Sequence, residues 1–318
     1  MLFVTNRRIL GSRRSEAGRE IRFDLDDNEP GTSLFFCERR APGHYVELLS
    51  APFFSRLRRS PRQQILFFLH GYNCQPELPV FPDAQRLQQL CDALAPDLVE
   101  VVPLLWPCDD DFGLVLDYFD DQRAADASGL TFAHVLGKFM GWRDAIESRE
   151  PCLKHVNILA HSMGNRVLRG ALAGWAHDYG AVPALFRSIF MAAADLANDC
   201  LEPGAEGGMI PDCARNVVVY HAHDDLALLS SKVANVHNKI VRRRLGHTGP
   251  ADLARAPRNV VAVDCDAFNN DTDRLGHSYI LADTLLRHLV ETIRTGRVPG
   301  SEAGSRRIML PGADVVAA

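Results

Sequence analysis

A chain of 318 residues, 47% of them hydrophobic, can fill the core of one large domain, and no Pro/Ser/Gly-rich linker divides it. A net charge of −5 argues against nucleic acid as the main partner. No run approaches the ~18 apolar residues of a membrane-spanning helix, so no integral membrane segment is expected.

The first expected elements are short strands at Phe3-Val4-Thr5, Ile21-Arg22-Phe23 and Tyr45-Val46-Glu47-Leu48, an antiparallel edge. Arg7-Arg8 is not read as an export signal, because Gly11-Ser12-Arg13-Arg14 follows where an apolar segment should stand. Ile65 to Leu69 is continuously apolar, the mark of a strand buried on both faces. Helical periodicity follows over Asp83 to Leu94, a strand over Leu98 to Leu105, and a mostly helical stretch over Ala124 to Ile146. Val156 to Ala160 is a further strand, with a helix after it carrying Val167, Leu168, Ala171, Leu172 and Trp175 at helical offsets. Then come strands at Ser188 to Ala193 and Asn216 to Tyr220, a helix over Leu226 to Val241, a strand at Val260 to Val263 and a closing helix over Leu281 to Ile293. Such alternation implies a mainly parallel central sheet with helices on both faces. One α/β domain is expected over residues 1–300, with residues 301–318 a loosely attached tail.

Between the strand ending at Ala160 and its helix lies Ala160-His161-Ser162-Met163-Gly164. A strand turning sharply through a serine into a helix presents the hydroxyl and aims the helix's first N–H groups at whatever binds there. A hydroxyl nucleophile needs a base, and the base an orienting carboxylate, in the chain order Ser, acid, His. His277, after the last strand and before the last helix, suits the base; His247 reads as a loop residue and His288 as structural. Asp225, after the strand ending at Tyr220, is the favoured acid and Asp195 the alternative; Asp224 could instead cap the helix that begins there. Oxyanion donors are expected from the amides of Met163 and Tyr72, the latter in the His70-Gly71-Tyr72-Asn73 loop. His70 and Trp106 are expected to line the substrate pocket, although an aromatic at a strand end is as readily core.

With these residues in place the chain resembles the α/β-hydrolase superfamily, in particular its bacterial esterase/lipase-like branch of unknown function. The matching stretches are Phe3 to Arg7, His70 to Asn73, Trp106-Pro107, Tyr118 to Ser128, Ala160 to Val167, Asp225 to Ser230 and Gly276 to Tyr279. The resemblance implies the α/β-hydrolase fold, Ser162 as nucleophile, His277 as base, an aspartate acid, and the Tyr72 and Met163 amides as the oxyanion hole. Where that group tends to have serine after Trp-Pro, this chain has Cys108.

The expected activity is cofactor-free cleavage of a small-molecule carboxylic ester or thioester through an acyl-enzyme. The alternatives are an amidase or peptidase using the same residues, or a non-catalytic binding protein that keeps a hydrolase shell. No metal is expected, since the six aspartates between Asp109 and Asp121 lack EF-hand spacing and no His/Cys cluster has zinc spacing. The basic run Arg242-Arg243-Arg244 reads as an exposed helix face, and Gly204 to Gly208 as a flexible loop where a lid could be inserted. Eight scattered cysteines read as reduced thiols, which favours the cytoplasm.

Overall fold

In the computed structural model the described residues are 1–12, 14–108, 116–143, 152–228, 243–302 and 304–312, with side chains from residue 120 onward in the third of these segments. The expected helix over Leu226 to Val241 is seen only at its start, residues 226–228; the rest of it, most of the Asp109 to Asp121 stretch and Arg242 lie outside the described residues.

Apolar strand runs of five to seven residues decide the architecture. In β5 (Gln64–Leu69), Ile65, Phe67 and Leu69 join one hydrophobic cluster, while Leu66 and Phe68 join another on the opposite side. A strand alternates its side chains between two faces, so burial of both sets requires a layer on each side. The first layer is supplied by α1 (Ser50–Arg59), α3 (Leu116–Arg143) and α4 (Gly164–Tyr179), the second by α2 (Val80–Leu94) and α6 (Asp283–Thr295); a short helix, α5 (Leu245–Thr248), lies between α4 and α6 in sequence. The remaining strands are β1 (Leu2–Thr5), β2 (Glu20–Ile21), β3 (Phe35–Ala41), β4 (His44–Glu47), β6 (Val99–Leu105), β7 (His155–His161), β8 (Phe186–Ala192), β9 (Ala214–His221), β10 (Val260–Asp264) and β11 (Arg307–Met309).

They form one sheet in the order β11-β10-β9-β8-β7-β5-β6-β1-β3-β4-β2. Pairing is parallel from β11 to β1 and antiparallel through β3, β4 and β2, the expected mainly parallel sheet with an antiparallel N-terminal edge. Three elements ahead of the tail escape the sequence reading, β3, α1 and the short α5, in which His247 lies. Near the C-terminus, Arg307–Met309 adds an edge strand to β10, and Leu310 is buried against the second cluster. Among the described residues no helix is long and apolar enough to cross a membrane. All eight cysteines are free thiols, buried except for half-buried Cys74.

Helices α3 and α4 approach closely because glycines face each other. A Cβ on Gly170 would lie 3.0 Å from the Gly129 Cα, and one on Gly129 only 2.7 Å from the Gly170 Cα. Gly170→Val should therefore lower unfolding stability by about 1–3 kcal/mol through overpacking. Exposed Gly141, with nothing within 4 Å of an added Cβ, is the control, and Gly141→Ala should not destabilise. Urea unfolding midpoints of the two variants check this.

Candidate active site

β7 delivers its chain to Ser162 at the carboxyl edge of the sheet, where parallel sheets leave room for ligands. Ser162 has φ 51°, a left-handed conformation that turns the chain straight into α4 and that ordinary side chains avoid. The strain is held from several sides. The Ser162 amide donates to Ala192 O of β8 at 3.0 Å, and the Asp195 amide donates to Ser162 O at 3.3 Å. Asn165, fully buried, donates through Nδ2 to Ala160 O at 3.0 Å and to Ser162 O at 3.1 Å. Gly164 is required, since a Cβ there would stand 2.6 Å from His70 O and 2.7 Å from Leu69 O. Gly71 presses on the same turn, its ideal Cβ position 3.2 Å from the Ser162 Cβ.

His277 lies in the loop between β10 and α6. Its Nδ1 is 2.7 Å from Asp225 Oδ2, with both side chains almost wholly buried. A carboxylate only accepts, so Nδ1 carries the proton in this bond and Nε2 keeps its lone pair in the neutral ring. That Nε2 is buried and has no hydrogen-bond partner. Burial disfavours the imidazolium, but the facing Asp225 carboxylate outweighs it and holds the His277 pKa above its ordinary value. The other Asp225 oxygen accepts from the Leu228 amide at 2.9 Å, and the Leu226 amide donates to Leu275 O at 2.9 Å, tying the acid-bearing loop to that of His277.

Asp195 and Asp224 sit elsewhere. The Oδ1 of Asp195 is 3.0 Å from Arg244 Nε, close enough for an ion pair although not aligned for a hydrogen bond, whereas the bond to His277 Nδ1 comes from Asp225. Asp224, considered as a helix cap, instead accepts from the side chains of Asn269 and Asn270. His288 is structural, as expected: its Nε2 donates to Pro299 O at 3.2 Å and its Nδ1 accepts from Tyr220 Oη at 2.8 Å.

Ser162, His277, Tyr72 and His70 line one cleft of about 370 Å³, together with apolar Val80, Ile280 and Leu281. Met163 sits directly after the serine as the cap of α4, and its N–H has no partner among the described residues. Trp106 is a correction to the sequence reading. It is fully buried and does not line the cleft. Its indole N–H needs an acceptor, which it finds in His70 O at 3.0 Å, and its ring stacks on His70 at 5.1 Å. His70 touches the cleft, but both ring nitrogens are engaged: Nδ1 donates to Gly71 O at 2.8 Å and Nε2 accepts from the Trp106 amide at 3.2 Å. Burial lowers its pKa to about 4, so it braces the loop as a neutral ring. Cys108, the residue after Trp-Pro, also braces that loop: its Sγ donates to Cys74 O at 2.9 Å and accepts from the Cys74 amide at 3.3 Å.

Three residues of the cleft had no signal in the sequence. His161 keeps part of its surface exposed, yet its packed surroundings push its pKa down to about 3; its Nε2 donates to His277 O at 3.2 Å. Asp273 accepts from the amides of Leu275 (2.7 Å), His277 (3.3 Å) and Ser278 (2.5 Å), which sets the shape of the loop holding the imidazole. Burial opposes its charge, but these amides outweigh it and its pKa falls. Asp83 projects from the first turn of α2 with no side-chain partner among the described residues, and burial raises its pKa to about 6. The loop Gly204 to Gly208 is closed on itself by hydrogen bonds such as Gly208 N to Ala205 O at 2.9 Å, and it does not line the cleft.

A hydroxyl at a strained turn, an imidazole with a bare nitrogen and a buried carboxylate beneath it are the parts needed to remove a proton from an alcohol and store the resulting charge. Residues 49–294 match the model of a family described as alpha/beta hydrolase of unknown function. No curated protein matches the chain.

Proposed function

The chain belongs to this α/β-hydrolase family, and on that premise we propose that it is a serine hydrolase cleaving carboxylic esters or thioesters through an acyl-enzyme on Ser162. The observation that carries the reading is the His277 Nδ1–Asp225 Oδ2 pair at 2.7 Å, with Nε2 left unpartnered in the cleft that Ser162 lines.

His277 Nε2 takes the proton of Ser162 Oγ as the oxygen attacks the substrate carbonyl. Asp225 stabilises the imidazolium that forms. Negative charge on the former carbonyl oxygen is met by the Met163 N–H at the start of α4, where the helix dipole also favours an anion, and by the Tyr72 amide. Collapse of the tetrahedral intermediate expels the alkoxide or thiolate, which leaves with the proton from His277. Water then attacks the acyl-serine by the same steps in reverse, releasing the acid and restoring the hydroxyl. Catalytic hydrogen bonds are commonly open in unliganded sites and tighten around substrate, which fits the absence of a Ser162–His277 bond here. The apolar walls Val80, Ile280 and Leu281 suit an acyl chain.

The pH profile follows from the base. His277 works only unprotonated, and the facing Asp225 carboxylate holds its pKa above that of an ordinary histidine despite burial. kcat/KM for p-nitrophenyl acetate should therefore be low in acid and rise through an apparent pKa higher than that of an ordinary histidine side chain. A profile flat from pH 5 to 9 would contradict the assignment. Matched ester and amide substrates, assayed in parallel, separate esterase from amidase action.

A further inference from the structure

Beyond the cleft, β9 and β10 end side by side, with His221 and Asp264 as register partners in the last position of each strand. Two residues after His221 the chain turns and brings His223 back to the same edge. Its amide donates to Asp266 Oδ1 at 2.6 Å, and its Nδ1 lies 3.1 Å from Asp266 Oδ2 and 3.9 Å from Asp264 Oδ2. One ring nitrogen from each histidine and one Asp264 oxygen all fall within 4.8 Å of one another. His221 is buried, and its Nδ1 has no hydrogen-bond partner. Gly249 closes over that ring, since a Cβ there would come within 2.9 Å of His221 Cδ2 and Nε2. A buried imidazole nitrogen without a partner is costly in an ordinary polar surface cluster.

We propose that His221, His223 and Asp264 form a binding site for one divalent transition-metal ion of the zinc class. Two imidazoles and a carboxylate are a donor set that favours Zn²⁺ and its neighbours over Ca²⁺ or Mg²⁺, which prefer oxygen. Tetrahedral bonds of about 2.0 Å put donors roughly 3.3 Å apart, so the side chains close by about an ångström on the ion. The His223 side chain, about half exposed, has room to make that movement, and Asp266 stands beside it as a further carboxylate at the edge of the site. The fourth position is open to water. The site stands independently of the Ser162 reading. Sequence spacing hides it, because Asp264 comes from a different strand.

Chelator-treated full-length protein is titrated with Zn²⁺ by calorimetry, with Ca²⁺ in a parallel arm, and Co²⁺ is added separately for its visible d–d bands. The expected result is one equivalent of Zn²⁺, a rise in Tm with zinc, intense tetrahedral Co²⁺ bands and no saturable Ca²⁺ binding. His223→Ala and Asp264→Asn, each checked for an unchanged metal-free Tm, should weaken Zn²⁺ binding by about tenfold or more. His44→Ala, which removes an exposed histidine far along the sheet at β4, should bind as the parent does. Zinc binding below one equivalent, or equal affinity in the two site variants and the parent, would overturn the proposal.

Discussion

Ser162→Ala is expected to lower kcat/KM on short p-nitrophenyl esters by on the order of 10⁶ while leaving the circular dichroism spectrum and Tm unchanged. The size follows from the chemistry: without the hydroxyl no acyl-enzyme forms, and only binding and the oxyanion donors remain to help water. The fold should survive because the turn is held through the backbone and through Gly164, Gly71 and Asn165. Alanine at φ 51° keeps much the same strain that serine already carries. Turnover within tenfold of the parent would remove Ser162 from the mechanism.

Asp225→Asn is expected to lower kcat by on the order of 10⁴. An amide can donate as well as accept, so the ring loses its preference for a proton on Nδ1, and the wrong tautomer leaves no lone pair facing the serine. The imidazolium of the transition state also loses its counter-charge. The apparent pKa of the rate profile should fall at the same time, since Asp225 is the charge that raises the His277 pKa against burial. Asp195→Asn serves as the comparison. Its carboxylate pairs with Arg244 and leaves the hydrogen bond to the ring to Asp225, so its loss should act mainly on stability through a buried cation left without its partner, with a much smaller effect on kcat. Equal kcat losses in the two variants, with equal Tm, would place the acid elsewhere.

The parts of this molecule that could be read in advance are those governed by short-range periodicity. Ile65 to Leu69 announces a strand buried on both faces, and its neighbours pair in the order that right-handed crossovers permit. The strand β3 is harder to see because Phe35–Ala41 carries charges in its second half, and Arg39 is buried with its guanidinium bonded to Glu77, a partner 38 residues away. Helix α1 carries Pro52 and three arginines; the proline is tolerated because it stands in the first turn, where its missing N–H has no helical acceptor to lose.

The same division runs through the site. Ser162, Asp225 and His277 each follow a strand, so the rule that parallel sheets act at their carboxyl ends points to them from sequence alone. His161 acts through a backbone atom of the His277 loop, and no periodicity reports a contact spanning 116 residues; Asp273 instead shapes that loop from four residues away, in an irregular turn that carries no periodic signal. From its place at a strand end Trp106 can wall the pocket or join the core. The hydrogen-bonding need of its indole decides the matter for the core, turning it beneath His70.

The most direct test of the central claim is labelling with a fluorophosphonate, followed by mass spectrometry of the adduct. An activated serine reacts quickly and an ordinary one does not. The parent protein should carry a single adduct on Ser162, His277→Ala should react far more slowly, and Ser162→Ala should not react. An unlabelled parent under conditions that label a known serine esterase, or an adduct on another residue, would contradict the account.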